Sequence, residues 1–163
     1  MDEELVVKAR KRSLRIVLAL SIIGSGISCF LYLYTGIMLP SMKADYLSGA
    51  VNVPGEWVVF VEQLLETPRS FFLCAALLYG MSLAGVVMMW GIRKNGFHMY
   101  TLAQLLILLV TLLFLGRERL DLGNVMLTLL FIVYYYISLR NLGVFNKEIK
   151  AESSADDEEK KSE

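Results

Sequence analysis

Residues 97–116 read FHMYTLAQLLILLVTLLFLG, and this stretch decides the fold. A helix rises about 1.5 Å per residue, so roughly 20 apolar residues cover the ~30 Å hydrocarbon core of a bilayer. Residues 105–110 and 112–115 are all Leu, Ile, Val or Phe. Each favours insertion by roughly 0.3–0.6 kcal/mol, and together they outweigh the amide of Gln104. The stretch reads as a transmembrane helix.

Working outward, three more runs qualify: about Leu14 to Leu39, Ser70 to Ile92, and Leu122 to Leu139. No Asp, Glu, Lys or Arg lies in the interior of any run, and Arg15 stands at a mouth, where its stem can snorkel. Hydrophobic residues make up 56% of the 163-residue chain and charged residues 20%. Soluble domains sit nearer about 45–50% apolar, so the excess belongs to the runs. The expected fold is all-α: a polytopic four-helix transmembrane bundle occupying residues 1–142, followed by a polar tail over 143–163, disordered from about 151.

The first run has a basic lead, and Gly26-Ile27-Ser28-Cys29 distantly resembles a lipoprotein cleavage site. Gly26, however, stands where such sites need an aliphatic residue. The run also continues through Phe30, Leu31, Leu33 and Ile37, beyond a signal-peptide core of about 7–15 residues. It is expected to remain as a span.

Basic residues in the short flanks set the orientation. Lys8, Arg10, Lys11, Arg12, Arg15, Arg93, Lys94, Arg140, Lys147 and Lys150 fall on one side, and Lys43, Arg69, Arg117 and Arg119 on the other. The richer side, which holds both termini, is expected to be cytoplasmic. Aromatic residues form two belts. Trp90, Phe97, Tyr100 and residues Tyr134 to Tyr136 fall toward one face, and Tyr32, Tyr34, Phe71 and Phe72 toward the other.

Pro40 to Arg69 reads as the one sizeable loop, on the extracytoplasmic side. Its first half, with Gly49, Asn52 and Pro54, is expected to be irregular. In its second half Trp57, Phe60, Val61, Leu64 and Leu65 recur at helical spacing against Glu56, Glu62, Gln63 and Glu66. A short amphipathic helix over about 55–66 follows, acting as lid, docking element or plug. Arg93-Lys94-Asn95-Gly96 and Arg117-Glu118-Arg119-Leu120-Asp121 read as tight turns, with Asn-Gly as the turn signal in the first. Such short connections make the second, third and fourth spans antiparallel neighbours.

Residues that carry chemistry are few. Cys29 and Cys74 lie inside apolar runs without a CxxC spacing and are expected to pack as small hydrophobes. His98 has no Cys, Asp or Glu near it in sequence, and Met81, Met88 and Met89 with Trp90 have no His or Cys alongside. Neither a metal nor a cofactor is expected, and no catalytic residue is assigned. Small residues say more. Ala76, Gly80 and Ala84 recur at spacing four, and the first span carries Ser21, Gly24, Ser25 and Ser28. Small side chains let helix backbones approach in lipid, so these stripes are candidates for a contact between the first two spans or for a homodimer face. Gln104 is the amide near mid-membrane, with Ser82 and Tyr134 at similar depth as candidate polar contacts; Asn124 lies nearer the outer end.

The segment from Met88 to Tyr100, MMWGIRKNGFHMY, resembles the inner hairpin of small four-span inner-membrane proteins of Bacteroidota-type bacteria. A Trp, a basic pair, a Gly and an aromatic pair precede a leucine-rich span. The resemblance implies a bacterial inner-membrane setting and carries no activity. The leading functional expectation is a non-enzymatic accessory or scaffold subunit. The alternative is a carrier or receptor for a neutral or lipid-like molecule held near Ser25, Gly80 and Gln104. Expected partners are the lipid bilayer and other membrane proteins or a second copy, with no nucleic acid.

The orientation is checked by thiol labelling in a background lacking Cys29 and Cys74. Single cysteines at Asn95 and Ser153 should resist a membrane-impermeant reagent in intact cells, while one at Ser48 reacts. The opposite pattern inverts the topology.

Overall fold

The alternation of apolar runs with proline, glycine and charge predicts where helices start and stop, and the chain follows it in most places. The structure is a computed structural model that describes residues 2–91, 93–117 and 122–144, without the side chains of residues 2–7 and 124. It contains α1 (Asp2–Leu47), α2 (Gly55–Glu66), α3 (Arg69–Trp90), α4 (Lys94–Leu115) and α5 (Leu122–Asn141). No strand occurs among the described residues. Three helices, α1, α3 and α4, are long and apolar enough to cross a membrane, and α5 carries a shorter apolar stretch over Val125–Asn141. Residues 118–121 of the expected second turn, and the polar tail from 145 onward, lie outside the described residues.

Pro54 and Pro68 immediately precede α2 and α3, where a missing N–H costs nothing and the fixed φ suits entry into a helix. Gly116 ends α4 at a φ of 77°, its N–H bonding the Leu112 carbonyl at 3.1 Å. With ψ at 173° this is an extended, positive-φ conformation that essentially only glycine adopts, and it ends the helix while satisfying one of its last carbonyls.

The long helices alternate in direction, and two apolar clusters mark the ends of the bundle. At the end rich in Lys and Arg, Leu14 and Leu18 of α1 meet Val86 and Met89 of α3, Phe97 and Tyr100 of α4, and Tyr135 and Leu139 of α5. At the other end Leu39, Phe71 and Phe72 pack with Leu65 of α2. Central to both is α3, which packs closely along α1 and along α4, whereas α5 touches α4 and α1 far more sparsely.

The tightest approach is between α3 and α4. A Cβ built on Gly85 would lie 2.7 Å from the Tyr100 backbone N, and one on Gly96 would lie 2.6 Å from the Gly85 carbonyl O. Backbone thus touches backbone, and any side chain at either position must push the helices apart. This explains a departure from the expected turn. Lys94, Asn95 and Gly96 are the first turn of α4, so the helix begins inside the expected turn. Gly96 is kept free of a side chain by its contact with α3, whatever its value as a turn former.

A second departure is larger. Residues 41–47 are helical, because α1 runs straight through Pro40 to Leu47 where an irregular loop was expected. Proline in a helix interior has no N–H to give the carbonyl four residues back, here that of Gly36. The vacated acceptor is filled from another helix: Arg69 Nε donates to the Gly36 carbonyl at 2.9 Å. Gly36 is itself buried against α3, its absent Cβ lying 2.9 Å from Leu73 Cδ2 and 3.2 Å from Phe72 Cβ. An interior proline is tolerated where a partner re-satisfies the freed group, and Arg69 is that partner.

Large apolar side chains point outward along the helices: Leu77, Leu113 and Leu130 are 65%, 71% and 62% exposed. A water-soluble domain rarely exposes contiguous apolar surface on this scale, whereas hydrocarbon solvates it without cost.

Replacing Arg69 by Met should destabilise the protein by about 1.5 kcal/mol, the scale of a lost hydrogen bond from a charged donor. In a Pro40→Ala background the helix supplies its own N–H to Gly36, so the same replacement should cost clearly less. Equal losses in both backgrounds, read by denaturation in detergent, would disprove the coupling.

Candidate functional site

Three consecutive tyrosines, Tyr134 to Tyr136, stand in the C-terminal half of α5, and a helix turns about 100° per residue, so only one of them can face the bundle squarely. It is Tyr135, fully buried, with its ring 5.3 Å from that of Tyr100. Its Oη donates to the Val17 carbonyl at 3.2 Å and lies 2.6 Å from Ser21 Oγ. A phenol has one proton, so Ser21 is the donor in the second bond. Tyr134 points to the rim, 2.9 Å from Ser13 Oγ. These contacts pin the C-terminal half of α5 to α1. Toward the N-terminus of α5, Leu122 and Met126 are 75% and 73% exposed.

Beside α5 a cleft of about 240 Å³ lies between the helices. From α1 come Ser21, Ser25 and Ser28, on one face with Gly24. From α3 come Tyr79 and Ser82, from α4 Tyr100 and Gln104, and from α5 Thr128. Leu20 and Leu127 stand at its edge, both more than half exposed, so the cleft opens sideways between α1 and α5. The lining holds hydroxyls and one amide, and no carboxylate, amine or imidazole.

Part of this polarity is internally satisfied. Gln104 Nε2 donates to the fully buried Ser82 Oγ at 2.9 Å, and Ser25 Oγ donates to the Ser21 carbonyl at 2.6 Å. The remaining capacity, which includes the Gln104 carbonyl and the hydroxyls of Ser28 and Tyr79, has no side-chain or backbone partner among the described residues. These groups are available to an occupant. Apart from the cleft, Thr101 Oγ1 is a buried hydroxyl without a partner among the described residues.

A second chamber of about 290 Å³ adjoins the cleft toward the α2 end, with Tyr79 in the wall of both. Its roof is α2, through Phe60, Gln63 and Leu64, with Thr67 just beyond the helix end. The helix is tied to the bundle by Leu65 and by Tyr46 Oη, which donates to Glu62 Oε1 at 3.3 Å. Its Trp57 and Phe60 remain more than half exposed, edge to face at 6.2 Å.

The candidates from sequence therefore separate. Gln104 and Ser82 meet each other, while Tyr134 lies at the rim and the inward polar tyrosine is its neighbour Tyr135. Nothing in the Tyr134-Tyr135-Tyr136 run distinguishes the three, because apolar residues surround α5. Ser21, Ser25 and Ser28 line the cleft together with Tyr79 and Ser82 of α3, and a Cβ on Gly24 would meet nothing within 4 Å. On α3, Ala76 is buried and its carbonyl accepts from Cys29 Sγ at 3.3 Å; Gly80 faces that sulfur, and Ala84 is exposed. The small-residue contact of α1 with α3 thus runs through Cys29 and Gly36. The Gly85–Gly96 contact lay off the stripe that spacing picked out. Both cysteines are free thiols, and His98 is exposed beside the Phe97 ring. No group of His, Cys, Asp and Glu among the described residues is arranged to hold a metal.

No family model, curated protein or solved structure matches the chain.

Tyr135→Phe should lower stability in detergent by about 1 kcal/mol, since it removes the bonds of the phenol to Ser21 and to the Val17 carbonyl. Tyr134→Phe, at the exposed rim, should change it by less than about 0.5 kcal/mol. Equal effects would show that the α5 anchor is misassigned.

Proposed function

We propose that the chain is a four-span membrane protein, α5 being the fourth span, whose bundle binds a small neutral molecule in the cleft between α1, α3, α4 and α5. The observation that carries this reading is the convergence of uncharged hydrogen-bonding groups from four separate helices on one space, several with bonding capacity unused. Ligand sites are concave and orient their occupant with a few polar groups set in apolar walls, and the cleft fits that description. With no fixed charge to neutralise an ion, the lining suits alcohols, amides or the polar part of a lipid. The role is that of carrier or receptor, and the lining supplies no base beside a hydroxyl for catalysis.

At about 240 Å³ the cleft holds a molecule of several heavy atoms, or about eight waters at ~30 Å³ each. The sideways opening between Leu20 and Leu127 offers entry from lipid. The adjoining chamber under α2 offers a route from the other end, with α2 as its lid and Tyr79 between the two spaces. The basic end, with both termini, faces the cytoplasm in this reading, and α2 lies at the outer surface with Trp57 and Phe60 in the interface. A bacterial inner membrane is the setting.

A second reading has its own support. The sparse packing of α5 and the apolar faces of α2 and α5 leave surface that another membrane protein would cover, as an accessory or scaffold subunit requires.

Purification in mild detergent followed by mass spectrometry separates the two. The first reading expects a co-purifying neutral compound. Tyr79→Phe removes a hydroxyl that bonds nothing among the described residues, so it should leave the fold intact and weaken retention about threefold to tenfold, the scale of one hydrogen bond. A stoichiometric protein partner with no retained compound would favour the scaffold.

A further inference from the structure

We propose that a groove at the basic end, between the first turns of α1 and the end of α3, is a binding site for the headgroup of an anionic phospholipid. This rests on the basic end lying at a membrane surface.

The groove measures about 730 Å³ and is distinct from the neutral cleft. Lys8, Lys11, Arg12 and Arg15 line it on the α1 side, and Trp90 closes it from α3. Helical spacing gathers these cations: Lys8, Arg12 and Arg15 follow one another at intervals of four and three, so they stand above one another on a single face. None of the four has an ion pair among the described residues. Glu4 is the nearest acidic residue in sequence on this helix. It precedes Arg12 by eight residues and Arg15 by eleven. Neither guanidinium has an acidic partner among the described residues, and their forked donors match the oxygens of a phosphodiester.

What distinguishes a lipid from a soluble phosphate is the surface below. The groove's floor is apolar, formed by Ile16 and Ala19. From Ile16 the same face of α1 continues through Leu20, Ile23 and Ile27, which are 60%, 58% and 55% exposed. A headgroup held at Arg12 and Arg15 thus has an acyl track directly beneath it, one helical turn away. Trp90, 44% exposed, has the amphipathic ring that favours the headgroup level. Cations above, an aromatic ring at the boundary and an aliphatic stripe below reproduce the order of groups in an anionic phospholipid. Basic pockets at the inner mouths of membrane helices bind such headgroups by the same physics.

The chain has two tryptophans, Trp57 and Trp90, so Trp57→Phe leaves Trp90 as the reporter. The full chain is reconstituted in vesicles of phosphatidylcholine with either brominated phosphatidylglycerol or brominated phosphatidylcholine, and quenching of Trp90 is read. Brominated phosphatidylglycerol should half-quench at a fraction about fivefold lower than brominated phosphatidylcholine. Arg12→Gln with Arg15→Gln should erase that preference while quenching by phosphatidylcholine persists. Arg140→Gln, at the same end but outside the groove, should leave the preference unchanged. Adding millimolar glycerol phosphate should also leave it unchanged, since a soluble phosphate lacks the acyl contact. Equal quenching by the two lipids overturns the site, as does loss of preference with Arg140→Gln or with glycerol phosphate. Absence of quenching by either lipid overturns the membrane placement instead.

Discussion

Backbone contact between α3 and α4 at Gly85 and Gly96 is the constraint around which the bundle is arranged. In lipid the hydrophobic effect gives helices no reason to associate, because hydrocarbon solvates an outward leucine as well as a neighbour does. Association then depends on close packing and on hydrogen bonds between helices. The two glycines bring α3 and α4 together where no Cβ fits, and Gln104 with Ser82 adds a hydrogen bond along the same seam. On another face, α3 meets α1 at Gly36, Cys29 and Ala76. The result is a three-helix slab with α3 at its centre, and what remains of the fold is attached to that slab.

The attachment of α5 at one end explains the cleft. Tyr135, Leu139 and their partners fix its C-terminal half against α1, α3 and α4, and among the described residues of the other half none belongs to either apolar cluster. Beyond that anchor a cleft lies between α5 and the other three long helices, and the serines of α1 line it. Hydroxyls in an apolar setting are costly unless paired, so a cleft lined with them favours an occupant that completes their bonding. The cleft is in this sense a consequence of asymmetric packing, with the serine face of α1 supplying its chemistry.

At the other end the same accounting of backbone groups joins α1 to α3. Pro40 frees the Gly36 carbonyl, and Arg69, at the first residue of α3, takes it. Arg69 directly follows the Thr67-Pro68 corner after α2, so this bond holds the start of α3, and with it that corner, beside α1. One proline thereby links the length of α1 to the junction between α2 and α3.

Read alone, the sequence determined what one-dimensional hydropathy can carry. The apolar runs gave the helices, and proline and glycine gave most of their limits. The alternation of Trp57, Phe60, Val61, Leu64 and Leu65 with acidic residues located α2. These features are local, since each depends on neighbours within about one or two turns. Tertiary structure decided the rest, because the causes lie far apart in the chain. Helix through Pro40 requires an arginine 29 positions later. The inward tyrosine of α5 cannot be chosen from a run with apolar residues on every side, and the close glycine pair joins one residue off the visible stripe to another that resembles a turn. Gln104 and Ser82 shared only a common depth until packing turned them toward each other. Lipid accepts any apolar face, so periodicity does not mark which side of a membrane helix is buried, and only the packed bundle does.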